Sequence, residues 1–125
     1  MKRDMDLVRE MLLRLEAWPL DLGDAVVLSP QDPGMAFQGY DVTQINYHMD
    51  LIHEAGFIND GGGSGPAFGF IFCGLSWKGH EFLDDVRDPE IWSKTKARTK
   101  DVASVGVSFI WEIAKAEVKA KLGLS

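Results

Sequence analysis

His80 and Asp84 stand four residues apart, a spacing that puts two side chains on one face of a helix, as zinc-binding helices do. A hydrolytic zinc helix needs a second imidazole, and Asp84 is the harder, less usual replacement, so His80 reads better as a capping or packing histidine. His48 and His53 are five apart and point to different faces, which excludes a joint ligand pair. His48 is expected to be semi-buried and hydrogen-bonded across the core. Gly61, Gly62, Gly63 and Gly65 have the composition of a phosphate loop, but no lysine follows and no helix begins directly after them. Ser64 lacks a nucleophile elbow, because Pro66 occupies the place of the second glycine. Cys73 is the single cysteine, which excludes an intrachain disulfide and a cysteine-based zinc site; among aromatic neighbours it is expected to be a buried small apolar residue. No catalytic residue, metal or cofactor is expected.

Amides and cations offer a different chemistry. Gln44 and Asn46 can each pair bidentately with adenine in a major groove. Lys94, Lys96, Arg98 and Lys100, with Lys2 and Arg3, could neutralise phosphates. The charge distribution opposes this use. The net charge is -6, and the 63 residues between Arg14 and Lys78 hold eight acids and no Lys or Arg. Asp41, Asp50, Glu54 and Asp60 in this stretch would repel a phosphate backbone.

At 125 residues, 46% hydrophobic and 26% charged, the composition is that of an ordinary globular domain. No apolar run approaches the roughly 20 residues of a membrane helix. The opening Met1-Lys2-Arg3-Asp4 leads into a charged amphipathic stretch rather than a secretory leader, so a cytoplasmic location is expected.

The elements follow from periodicity and punctuation. Met5, Val8, Leu12 and Leu15 predict a helix over residues 4–18, stopped by Pro19. Residues 25–28 form a short apolar strand, and residues 29–39, with Pro30, Pro33, Gly34 and Gly39, a loop. Asp41 and Gln44 make a capping box, with Tyr40 placed to staple onto Ile45. Ile45, His48, Met49, Ile52 and Ala55 line the inner face of the second helix, ended by a left-handed Gly56. Phe57-Ile58 and residues 68–75 are expected to form a hairpin with a long glycine-rich tip. Ser76 caps a third helix to about Arg87, and Asp88-Pro89 restarts a short one. Residues 94–100 are expected to be basic and solvated. The final helix, about residues 102–122, is apolar nearly all round in its first half and so needs burial on more than one side. Trp77 and Trp92 are expected in the core of amphipathic helices, although either could anchor an interface. The order helix, strand, helix, hairpin, helix is that of a winged helix with C-terminal additions, an α+β fold that is mostly α.

The run from Ile45 to Ile58 resembles the recognition-helix segment of arsenic-repressor-type winged-helix regulators, which pass through a small polar residue, a His-Leu-like pair and Ala-Gly into the wing. Their Cys-x-Cys metal box is absent, so metal sensing does not carry over. The first helix of their helix-turn-helix is also missing, replaced by the strand and the Pro/Gly loop before Asp41. Taken whole, the chain is similar to the bacterial and phage family called domain of unknown function 2513. The resemblance rests on the opening residues 1–9, the helix from Tyr47-His48 to Gly56, Leu75-Ser76-Trp77-Lys78-Gly79-His80-Glu81-Phe82-Leu83-Asp84, and Ile91-Trp92-Ser93-Lys94-Thr95-Lys96. It implies a winged-helix-like fold and brings no activity.

The expectation is a winged-helix domain over residues 1–100, with residues 101–125 forming a C-terminal helix that packs on it or makes a homodimer contact. Its function would be that of a non-enzymatic transcriptional regulator, with Thr43, Gln44, Asn46, Tyr47 and Asp50 facing duplex DNA and Lys94, Lys96, Arg98 and Lys100 assisting. The alternative is a protein-interaction adaptor that keeps the scaffold without binding DNA; no membrane partner is expected.

Overall fold

A computed structural model describes residues 1–100 and 106–124. These residues are mostly helical, comprising α1 (Met5–Glu16), α2 (Val42–Glu54), α3 (Trp77–Val86), α4 (Pro89–Thr99) and α5 (Val107–Lys121), with a two-stranded antiparallel sheet of β1 (Val26–Leu28) and β2 (Phe70–Phe72). None of these helices is long and apolar enough to cross a membrane. The chain divides into two compact units, Met1–His80 and Glu81–Ser125.

In the first unit, Asp4 caps α1, its Oδ1 accepting from the N–H groups of Asp6 and Leu7 at 2.9 and 3.3 Å. Leu7, Val8, Met11, Leu12 and Leu15 recur at helical spacing and are all buried, which is why this segment forms a helix with one apolar stripe. α1 ends at Glu16 rather than running to Trp18. The following loop is more ordered than its prolines and glycines imply. Asp32 caps a 3-10 turn at Pro33–Met35, and Met35 and Phe37 are buried. The Trp18 ring lies so close to Gly34 that a Cβ there would stand 2.4 Å from it.

α2 has the ends its sequence dictates. Asp41 Oδ1 accepts from Gln44 N–H at 2.8 Å, and Gln44 Oε1 accepts from Asp41 N–H at 2.9 Å. Gly56 follows with φ +77°. A β-branched side chain resists that conformation, so Gly56→Val lowers thermal stability by more than about 1 kcal/mol. No atom lies within 4 Å of a Cβ at this position, so the loss is conformational rather than steric. An unchanged melting temperature would remove the left-handed cap.

The hairpin expectation needs correction. Phe57-Ile58 contributes a single bridge, Ile58 to Leu75, flanked by Asn59 N–H to Gly74 O and Cys73 N–H to Asn59 O, both at 2.8 Å. β2 pairs chiefly with β1, in the register Val26–Phe72, Val27–Ile71 and Leu28–Phe70. Gly74 at φ +123° departs from extended geometry where the second ladder would have to propagate. The predicted strand is also shorter, because Gly69 at φ +84° turns the chain just before Phe70. A Cβ on Gly69 would stand 1.9 Å from Leu28 O, so only glycine lets the strands meet here.

In the second unit, Asp88 caps α4, accepting from the N–H groups of Glu90 and Ile91 at 2.8 and 3.2 Å, with Pro89 opening the helix. The basic stretch after Lys94 is helical up to Thr99 and solvated as expected at Lys94, Lys96, Arg98 and Lys100, whereas Thr95 is buried, its hydroxyl donating to Ile91 O at 2.7 Å. α5 packs on α4 and buries Ile110, Ile113 and Ala114, while Phe109 is exposed. Arg98 to Glu117 at 3.1 Å and Lys121 to Asp88 at 2.6 Å join the two helices. Trp111 donates its indole N–H to Asp85 at 2.7 Å and meets the Phe82 ring edge-on. The first turns predicted for the last helix, residues 102–105, lie outside the described residues.

Candidate partner-binding surface

α2 is phased by what it buries. Ile45, His48, Met49 and Ile52 face the core, which leaves Val42, Thr43 and Asp50 exposed and Asn46 half-buried. Two hydrogen bonds lock that phase at the buried His48: its Nε2 accepts from Asp4 N–H and its Nδ1–H donates to Gln44 O, each at 2.8 Å. The N–H of Asp4 can only donate, so these partners specify the neutral Nδ1–H tautomer. The same Asp4 accepts from Tyr40 hydroxyl at 2.7 Å, and that hydrogen bond to a carboxylate pushes the phenol up to about 12. At the other end of α2, His53 Nε2 meets Asp60 Oδ2 at 2.8 Å. Together with the Gly62 N–H, this contact holds the Asp60 carboxyl below its ordinary range and ties the helix to the glycine-rich tip.

Exposed Thr43 and half-buried Asn46 line a groove of about 370 Å³ together with Val42, Pro30 and Phe68. Val42 is 48% and Phe68 65% exposed, so the groove presents apolar surface that the fold leaves uncovered. Asn46 Oδ1 is shut off from solvent and meets no hydrogen-bond donor among the described residues.

The other predicted contact residues are placed differently. Gln44 Oε1 accepts from Asp41 N–H in the capping box, which holds its amide oxygen at the helix end. Tyr47 is half-buried, edge-on to His48 at 5.4 Å, and Asp50 is exposed outside the groove. Lys94, Lys96, Arg98 and Lys100 belong to α4 and its C-cap in the second unit. Lys94 pairs with Glu90 at 3.0 Å, Lys96 stands 5.8 Å over the Trp92 ring, and Arg98 pairs with Glu117.

Phe68 was not among the predicted contacts. It lies at the start of the strand expected over residues 68–75, and the positive φ of Gly69 takes it out of that strand; Pro66 and Gly69 on either side of it were the available signal. Trp77, expected in the core, is 82% exposed, whereas Trp92 is buried as expected. His80 is exposed, 3.9 Å from Glu16, and Cys73 is half-buried rather than buried. Among the described residues no three His, Cys, Asp or Glu side chains gather to hold a metal ion.

Over 101 residues the chain is 35% identical to an uncharacterized protein of Haemophilus influenzae, a match that covers 80% of this chain and 80% of that one. No solved structure matches it. The model of the family described as "Hypothetical protein (DUF2513)" matches residues 2–106, most of the length. The chain therefore belongs to the DUF2513 family, as its opening residues, its second helix and the segment from Leu75 led one to expect.

Proposed function

We propose that this chain is a non-enzymatic adaptor on a winged-helix scaffold, binding a protein partner through the outer face of α2. The scaffold reading is supported by the order α1, β1, α2, β2, α3, with β2 bonded to β1 on one side and the Ile58 segment bridging at Leu75. The helix that would enter a major groove in a winged-helix regulator is α2. One observation carries the choice of a protein over DNA. Thr43 and Asn46 share a groove with exposed Val42 and Phe68, on a stretch of chain that holds no Lys or Arg. Duplex binding draws its affinity from cations on phosphates, whereas protein interfaces draw theirs from apolar and aromatic anchors beside a few polar groups.

The test pairs two measurements. Fluorescence anisotropy with labelled mixed-sequence duplex is expected to show no binding at low salt; binding that weakens steeply with added salt would restore the regulator reading. Phe68→Asp is expected to leave thermal stability within about 0.5 kcal/mol, since the side chain is mostly exposed. The same substitution is expected to abolish retention of the partner captured by the full chain. Retention unchanged by Phe68→Asp would show that the groove is not the interface.

A further inference from the structure

The first unit holds a second, larger concavity of about 710 Å³, which shares no lining residue with the α2 groove. It lies between the C-terminal end of α1, the turn at residues 20–24, the segment leading out of β2 and the start of α3. Its walls are of two kinds. Leu15, Trp18 and Leu75 give it an apolar side, and Leu22, fully exposed, stands at its margin. Glu16, Asp21 and Asp24 give it three carboxylates, while no Lys or Arg is among the residues lining it. His80, 3.9 Å from Glu16, is the one basic side chain in that lining.

A site that pairs apolar walls with concentrated negative charge suits a group with an apolar stem and a cationic head. Between the two natural cations, arginine fits better. Its planar guanidinium engages carboxylates through two parallel hydrogen bonds and stacks on an indole such as Trp18, and it is more weakly hydrated than an ammonium. The exposed Leu22 asks for apolar neighbours on the same ligand, which a polypeptide supplies and a free amine does not.

We infer that this cleft docks a partner polypeptide segment that presents an arginine between apolar residues. The guanidinium lies against Glu16, Asp21 and Asp24, and the flanking apolar side chains cover Leu22 and the Trp18 wall. This docking is independent of the α2 groove and stands or falls separately from it.

Titration of the 15N-labelled full chain with three probes tests the inference: acetyl-Leu-Arg-Leu-amide, the same peptide with citrulline for arginine, and agmatine. Citrulline keeps the shape of arginine and removes its charge. The arginine peptide is expected to shift the Trp18 indole signal and the amides of Gly23, Gly61 and Gly74. The citrulline peptide is expected to bind about tenfold more weakly, the loss of roughly one well-placed ion pair. The double variant Glu16→Gln, Asp21→Asn should weaken the arginine peptide to a similar degree. The inference is overturned if the arginine peptide produces no shifts, if citrulline binds equally well, or if the shifts fall at Asn46 and Phe68 instead. Agmatine binding as tightly as the peptide would equally overturn it, because the occupant would then be a free amine. The comparison of probes on the unaltered chain keeps the test decisive even if the double variant does not fold.

Discussion

Gly79→Ala is expected to lower the unfolding free energy by about 3 kcal/mol, the opposite sign from what helix propensity dictates. Gly79 lies in the first turn of α3, where alanine would ordinarily gain about 1 kcal/mol over glycine. Here a Cβ would stand 2.0 Å from Phe57 O, 2.9 Å from its carbonyl carbon and 3.2 Å from its Cα. These are backbone atoms, and the same carbonyl already accepts from Ser76 N–H at 3.0 Å, so the segment cannot yield without breaking the bond that seats α3. Phe57 itself is 2% exposed, and its displacement would open the core. A loss of that size is a large fraction of a domain's 5–15 kcal/mol. Urea denaturation measures it. Gly63→Ala is the control: nothing lies within 4 Å of a Cβ there, the position is exposed, and the change should stay within about 0.5 kcal/mol. If Gly79→Ala stabilises the protein, α3 does not rest on the Phe57 backbone.

His48→Ala is expected to cost about 3 kcal/mol, through a cavity at a site 2% exposed and an Asp4 N–H left without its acceptor. His48→Gln can place an amide oxygen near the position of Nε2 and should recover part of the loss; equal losses for Ala and Gln would mean the imidazole acts by volume alone. Asp4 links this bond to Tyr40, and the link has a pH signature. The phenol is raised from 10.0 to about 12, chiefly by its hydrogen bond to Asp4, so the folded state favours the protonated form. Its contribution is therefore complete below pH 10 and is lost as pH rises towards 12. The stability advantage over Tyr40→Phe should shrink across that window, as measured by urea denaturation of both proteins. An advantage constant through pH 12 would separate Tyr40 from the Asp4 carboxylate.

Much of the fold was legible because helix ends are local chemistry. Asp41 with Gln44, Ser76 before α3, Asp88-Pro89 before α4 and Gly56 after α2 all act within about four residues, a distance over which residue type alone decides the bond. The candidate site was legible to the same extent. The apolar stripe of α2 fixed its phase and hence the placement of Thr43 and Asn46 off the buried face, along the groove. The pattern failed where one residue could serve two roles. Gln44 is chemically fit to read adenine and equally fit to close a capping box, and the nearby N–H of Asp41 claims it. Trp77 and Trp92 both belong to helices of amphipathic pattern, yet one is exposed and the other buried. Periodicity defines an apolar stripe but does not say which of its residues find a neighbour.

The amino-acid sequence by itself determined the caps, the helix phases, the family and the absence of cations from Arg14 to Lys78. Only the tertiary structure decided that β2 takes β1 as its main partner, that Phe68 falls outside β2 and lines one groove with Asn46, and that two separate concavities open in the first unit. The division has one physical cause. Caps and stripes are set by atoms a few residues apart, whereas pairing, exposure and cavities depend on distant backbone meeting at van der Waals contact, as where Gly69 admits Leu28 and Gly79 admits Phe57.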